Sequence, residues 1–147
     1  MKRKSVRIYS FTGTGSRLAL NLAEKLKQEG YVCTGYTVAR FAEDKRLQRL
    51  NDGWKQEIGA SWGEHALVFI GAAGIAIRAI APFVKDKFTD PPVIVLDEKG
   101  TFAIPLLSGH VGGGVTLAKV LAEYTGGRAV ITTATDVQKK FAADVFA

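Results

Sequence analysis

The run Ala66–Ile70, Ala-Leu-Val-Phe-Ile, carries no polar side chain, and Gly71-Ala72-Ala73-Gly74 follows it at once. A strand with no polar side must be buried on both faces. A chain holding such a strand needs helices packed above and below its sheet. The neighbouring segments supply them. Residues 6–11 form a short apolar-rich run, ended by Thr12-Gly13-Thr14-Gly15-Ser16. Leu18, Ala19, Leu22, Ala23 and Leu26 then recur at helical spacing up to Gly30, a residue suited to closing a helix. Residues 31–38 read as a second strand, with Cys33 as a small buried apolar residue.

Farther on, Leu47, Leu50, Trp54, Ile58 and Trp62 stand three and four apart in the charged stretch 41–64. That spacing predicts helix, in two segments broken near Asn51-Asp52-Gly53, with both tryptophans as core anchors. Residues 75–81 predict a short apolar helix stopped by Pro82. Pro91-Pro92 introduces a strand at 93–96, and Asp97-Glu98-Lys99-Gly100 predicts a hairpin returning through 101–105. A glycine-rich loop at 106–114 precedes a helix with Val115, Ala118, Leu121 and Ala122 inward, ending at Gly126-Gly127. A last strand is expected at 129–132. The fold class is therefore α/β, a three-layer α/β/α arrangement with a mostly parallel open sheet and a β-hairpin in its C-terminal half. At 147 residues the chain fits one domain, 1–147. The apolar run at 141–147 looks like the start of a further packed element.

Composition narrows the function classes. One cysteine excludes an internal disulfide framework and a cysteine-built zinc site, and His65 and His110 stand far apart in sequence. No apolar run approaches a membrane span, and the basic start is followed by a charged strand rather than a cleavable apolar region. A cytoplasmic protein is expected. The net charge of +6 calls for an anionic partner. The basic residues are interleaved with acidic ones, as in Lys85-Asp86-Lys87, and no RNA-binding signature is present, which points to a small polyanion rather than nucleic acid.

Four loops are expected to gather along the carboxyl edge of the sheet, where open α/β sheets bind ligands. They are 12–16, 71–74, 107–114 and 132–136. The first lacks both a P-loop lysine and the third glycine of a dinucleotide fingerprint. In the second, Gly71 and Gly74 are joined by Arg78, a cation in an otherwise apolar helix and a candidate anion contact. The third is the most specific. In Ser108-Gly109-His110-Val111-Gly112-Gly113, a histidine flanked by glycines is suited to general acid–base work. Ser108 lies outside the usual nucleophile elbow. The fourth offers Thr132, Thr133 and Thr135 with the carboxylate of Asp136, and Asp90 and Asp97 complete the candidate carboxylates, Asp97 also reading as a turn residue.

Three blocks of this sequence resemble the CbiG family, the cobalt-precorrin-5A hydrolases of anaerobic cobalamin (vitamin B12) biosynthesis. Phe69-Ile70-Gly71-Ala72-Ala73-Gly74-Ile75-Ala76-Ile77-Arg78-Ala79-Ile80-Ala81-Pro82 is similar to the family's first signature, continued by Lys87, Thr89-Asp90-Pro91 and residues 93–97. Leu106-Leu107-Ser108-Gly109-His110-Val111-Gly112-Gly113 is similar to the second, and Val130-Ile131-Thr132-Thr133-Ala134-Thr135-Asp136 to the third. Gly114-Val115 stands where the family usually has Ala-Asn, so one polar side chain is lost. Family members are usually more than twice this length, so the resemblance is to the N-terminal domain. A CbiG-type C-terminal domain is the expected partner, and the oligomeric state is open.

The resemblance implies hydrolytic opening of the cobalt-precorrin-5A lactone, with acetaldehyde released and cobalt-precorrin-5B formed. It implies no protein cofactor or metal, since the substrate carries the cobalt. The family name does not fix which residue assists; His110 is the first candidate for general base and then acid, with Asp136 orienting it or a water. Gly71, Gly74, Arg78, Lys85, Lys87, Asp90, Ser108, Gly109, Gly112, Gly113, Thr133 and Thr135 would bind the polyanionic cobalt-tetrapyrrole. Two further readings stand beside it. The chain is a non-catalytic binding or structural half of that enzyme, or an unrelated phosphate- or nucleotide-binding α/β module.

Overall fold

The computed structural model describes residues 4–107 and 113–133. Among these residues seven strands form one sheet in the order β3-β2-β1-β4-β5-β6-β7. They are β1 (Ser5–Ser10), β2 (Val32–Thr37), β3 (Leu47–Arg49), β4 (Ala66–Ile70), β5 (Val93–Leu96), β6 (Phe102–Leu107) and β7 (Arg128–Ala129). The helices are α1 (Gly13–Gln28), α2 (Trp54–Ala60), α3 (Ala73–Ile80) and α4 (Gly114–Thr125).

The central strands are apolar on both faces because each face meets its own helices. Val6 and Ile8 of β1, Val68 and Ile70 of β4, and Ile94 and Leu96 of β5 pack with Leu22 and Leu26 of α1 and Leu117 and Leu121 of α4. The alternate residues Tyr9, Leu67, Phe69, Val93 and Val95 pack with Ile58 of α2 and Ala76, Ala79 and Ile80 of α3. The period of two along each strand sends consecutive side chains into different cores. Each fully buried Ile, Leu or Phe contributes roughly 1.5–3 kcal/mol. The α/β/α layering predicted from residues 66–70 is the observed one. Cys33 is buried in the first of these cores, and Trp54 and Trp62 pack against the second.

The stretch 41–64 departs from expectation. Helix is confined to α2, while Leu47 begins an edge strand paired parallel to β2. Leu47 lies opposite Gly35, and its side chain covers the glycine. Leu50 N–H then donates to the Thr37 carbonyl at 2.8 Å. The free edge of β2 thus captures residues whose spacing alone suits a helix. The last strand is also shorter than expected, two residues long, although Val130 N–H still donates to the Ala103 carbonyl at 2.9 Å. Among the described residues no helix is long and apolar enough to cross a membrane.

Candidate functional site

Strand direction decides which loops meet. β1 to β5 run parallel, whereas β6 runs antiparallel to β5 and β7 parallel to β6. The amino ends of β1, β4 and β5 therefore share an edge with the carboxyl ends of β6 and β7. Loops 12–16 and 71–74 lie at the opposite edge, a strand length of roughly 13–20 Å away. The described ends of the other two loops, Leu107 and Gly113 and residues 130–133, follow the reversed strands and so do not join loops 12–16 and 71–74 at that edge.

At the amino edge, Leu107 stands opposite Val93. Gly113 borders a cavity of about 530 Å³ that also touches Lys4, Ser5, His65, Pro92 and Thr116. Gly113 adopts φ 85°, a left-handed conformation suited to glycine, and caps α4. Among the described residues no side chain caps that helix, and no acidic residue lies in its first turn. Its positive dipole end therefore suits an anion. The Ser5 hydroxyl and His65 Nδ1 are 2.6 Å apart. Burial, and then the Arg7 charge, hold the His65 imidazole below its ordinary pKa, which favours the neutral ring. Lys4 Nζ stands 5.8 Å from the centroid of the Tyr31 ring.

The segment leading into β5 is a turn locked by two aspartates. Asp86 Oδ1 accepts the N–H groups of Phe88 (2.8 Å) and Thr89 (2.9 Å), and its Oδ2 accepts the Thr89 hydroxyl (2.8 Å). The Thr89 hydroxyl first, and then these N–H groups, hold the Asp86 carboxyl below the usual range. Asp90 is buried, and its carboxylate accepts Lys85 N–H at 2.9 and 3.1 Å and the Trp62 indole at 3.0 Å. Those bonds give Asp90 a structural task. The exposed side chain of Lys87 lies on the same turn.

The carboxyl edge is built differently. Thr12 caps α1 by accepting Gly15 N–H at 2.9 Å, and its hydroxyl donates to Glu98 Oε2 at 2.8 Å. Ser16 bonds the Thr12 carbonyl at 2.7 Å and lies 2.6 Å from the Thr37 hydroxyl. A carboxylate thus already stands beside the α1 N-cap, which disfavours a bound phosphate there. Gly71 N–H donates to the Leu96 carbonyl at 2.8 Å. The Arg78 guanidinium lies over Gly74, 3.3 Å from where a Cβ would stand. Arg78 borders a cavity of about 410 Å³ with Phe11, Trp54 and Lys55. Asp97 is a turn residue, accepting Phe102 N–H at 2.7 Å and Lys99 N–H at 3.3 Å.

The structure brings Lys87, Asp90 and Gly113 to the amino edge and leaves Gly71, Gly74 and Arg78 at the other. Thr133 is half-buried beyond β7, whose direction leads toward the amino edge. Ser108, Gly109, His110, Gly112, Thr135, Asp136 and residues 141–147 lie outside the described residues. Sequence reasoning missed Lys4, Ser5 and His65. The signal was present, because each polar residue immediately precedes or begins an apolar strand and so falls on one edge.

Residues 58–136 match the family described as cobalamin synthesis G, N-terminal. The chain is 40% identical to a cobalt-precorrin-5A hydrolase of Salmonella typhimurium over 157 residues, covering 100% of this chain and 40% of that protein. It is 32% identical to a cobalt-precorrin-5A hydrolase of Priestia megaterium over 150 residues, covering 99% of this chain and 39% of that one. It is also similar to the crystal structure of a cobalamin biosynthesis protein G homolog from Sulfolobus solfataricus. That likeness has a TM-score of 0.67 and 26% identity, over 87% of this chain and 36% of the other. The chain spans about two fifths of the length of these curated relatives.

Proposed function

From the premise that this chain belongs to the cobalamin synthesis G N-terminal family, we propose that it serves anaerobic cobalamin biosynthesis as the N-terminal part of a cobalt-precorrin-5A hydrolase. The observation that supports the reading is the placement of Leu107 and Gly113 at the amino edge. These two residues bracket the glycine–histidine motif in sequence, and the Lys85–Asp90 turn adjoins the same edge through Thr89, beside Gly63 of the cavity that Gly113 also lines.

The substrate is a cobalt-bearing tetrapyrrole rich in carboxylates. A chain of net charge +6 attracts it over long range. Lys85 and Lys87 hold peripheral carboxylates, and Thr133 and Thr135 add hydroxyl contacts. Water attacks the lactone carbonyl. His110 takes the water proton and returns it to the leaving alkoxide, while Asp136 orients the imidazole. Backbone N–H groups of Gly112 and of Gly113, the latter capping the positive end of α4, stabilise the tetrahedral oxyanion. The strand length between the edges favours these donors over Gly71 and Gly74. Ring cleavage then expels the former bridging carbon with its methyl group as acetaldehyde. The remaining length of the relatives supplies the partner domain, and the reaction belongs in the cytoplasm.

Anaerobic incubation of this chain with cobalt-precorrin-5A tests the reading. Acetaldehyde is followed by alcohol dehydrogenase and NADH. Release by the chain, lost in His110→Ala, is the expected result. If the full-length Salmonella typhimurium relative is active alongside and this chain releases nothing, these residues are a binding half and the base lies elsewhere. The Glu98 carboxylate beside the α1 N-cap disfavours the nucleotide-binding alternative.

A further inference from the structure

Among the described residues, Phe88 is the most exposed of the large apolar side chains, at 71%. It does not hang from a slack loop. It sits at the apex of the turn locked by Asp86 and Asp90, in which Asp90 N–H also donates to the Asp86 carbonyl at 3.0 Å. A turn held by so many internal bonds has little conformational freedom left, so its apex is preorganised. Lys87 Nζ stands 5.2 Å from the centroid of the Phe88 ring. The apex therefore presents one flat apolar face and one cation side by side. Neither Lys85 nor Lys87 has a carboxylate within ion-pair distance among the described residues. The turn also adjoins the amino-edge cavity. The Thr89 carbonyl is 3.4 Å from where a Cβ of Gly63 would stand, and Gly63 and Pro92 both line that cavity.

We infer that Phe88 and Lys87 form a platform on the rim of the amino-edge cavity for a flat, conjugated, carboxylate-bearing ring, stacked on Phe88 with a carboxylate on Lys87. This rests on the tetrapyrrole reading above and adds to it the residues that grip the ring's face. A planar ring covers an exposed phenyl without asking its polar rim to leave water. A peripheral carboxylate then falls beside the ammonium, where the ring keeps the lysine close. The platform needs no movement of the fold.

The test uses this chain and two probes, cobyrinic acid, a cobalt corrin with free carboxylates, and its methyl ester, in which they are capped. Binding is followed by the visible corrin band. Phe88→Ala weakens both probes about tenfold, and Phe88→Tyr restores binding. Lys87→Met weakens the acid severalfold and leaves the ester unchanged. Thermal unfolding stays the same, because both side chains are exposed. Undiminished acid binding in Phe88→Ala overturns the platform and leaves the tetrapyrrole reading standing. No acid binding by the unsubstituted chain sinks both. A change in sedimentation for Phe88→Ala, with ring binding intact, also overturns the platform and makes Phe88 a contact between chains.

Discussion

Val93, the first residue of β5, lies opposite Leu107, the last residue of β6. This pairing brings the carboxyl end of β6 to the amino end of β5. In a wholly parallel sheet, the loops that carry ligands follow the carboxyl ends of all strands. Here the hairpin at 97–100 reverses the last two strands, so their carboxyl ends arrive where β1, β4 and β5 begin. Lys4, Ser5 and His65, at those strand starts, line one cavity with Gly113.

Asp90 is predicted to stabilise the fold rather than to hold substrate. It is 6% exposed and accepts from Lys85 N–H and from the Trp62 indole. Asp90→Ala removes the acceptor from both donors and should cost about 2–3 kcal/mol. Asp90→Asn keeps one carbonyl oxygen and should cost less. Urea unfolding measures both, and an unchanged midpoint for Asp90→Ala would rule the structural task out.

His65 should make the fold acid-sensitive. Burial first, and then the Arg7 charge, lower its pKa from 6.5, so the folded state binds fewer protons than the unfolded one near that value. A depressed folded pKa gives stability that is present above the unfolded pKa and lost as pH falls through the folded one. Stability should therefore decline as pH drops below about 6.5. His65→Gln should flatten that part of the profile in urea titrations at stepped pH. A profile identical in the variant would exclude His65 as the cause.

Much of this architecture is legible from the sequence, and the failures have physical causes. Residues 66–70 announce burial on both faces because no neighbour is needed to read an all-apolar strand. Leu47 and Leu50 mislead because an edge strand of three residues is defined by its partner β2, not by its own spacing. The hairpin itself is visible in Asp97-Glu98-Lys99-Gly100, but its effect on where β6 and β7 end is topological and acts across the whole sheet. His65 and His110 look unrelated along the chain. Only strand direction brings His65 beside Gly113 at one cavity.

Cys33 should be nearly inert to thiol reagents in the folded state. Burial pushes its pKa up to about 11, partly offset by Lys27. At pH 8 the thiolate fraction then falls roughly two orders of magnitude below that of an ordinary cysteine. The rate of alkylation by iodoacetamide should drop accordingly and recover in urea. Fast labelling of the folded chain would contradict the burial.

Gly113 and Gly127 flank α4 for different reasons, and two substitutions at each separate them. Gly113 has φ 85° and, among the described residues, nothing within 4 Å of where a Cβ would stand, so the cost of a side chain there comes from backbone conformation. Gly113→Ala should cost roughly 1–2 kcal/mol, and Gly113→Asn less, since asparagine tolerates the left-handed region. At Gly127 a Cβ would collide with the Gly100 carbonyl oxygen and stand 2.6 Å from that of Thr101. Backbone atoms there cannot step aside without moving the hairpin. Gly127→Ala should cost about 1–3 kcal/mol by overpacking, and Gly127→Asn should bring no relief. Thermal unfolding of the four variants reads the contrast. If asparagine rescues neither position, the left-handed cap at Gly113 is not what sets the start of α4. If it rescues both, the close approach of α4 to the hairpin is not what excludes a side chain at Gly127.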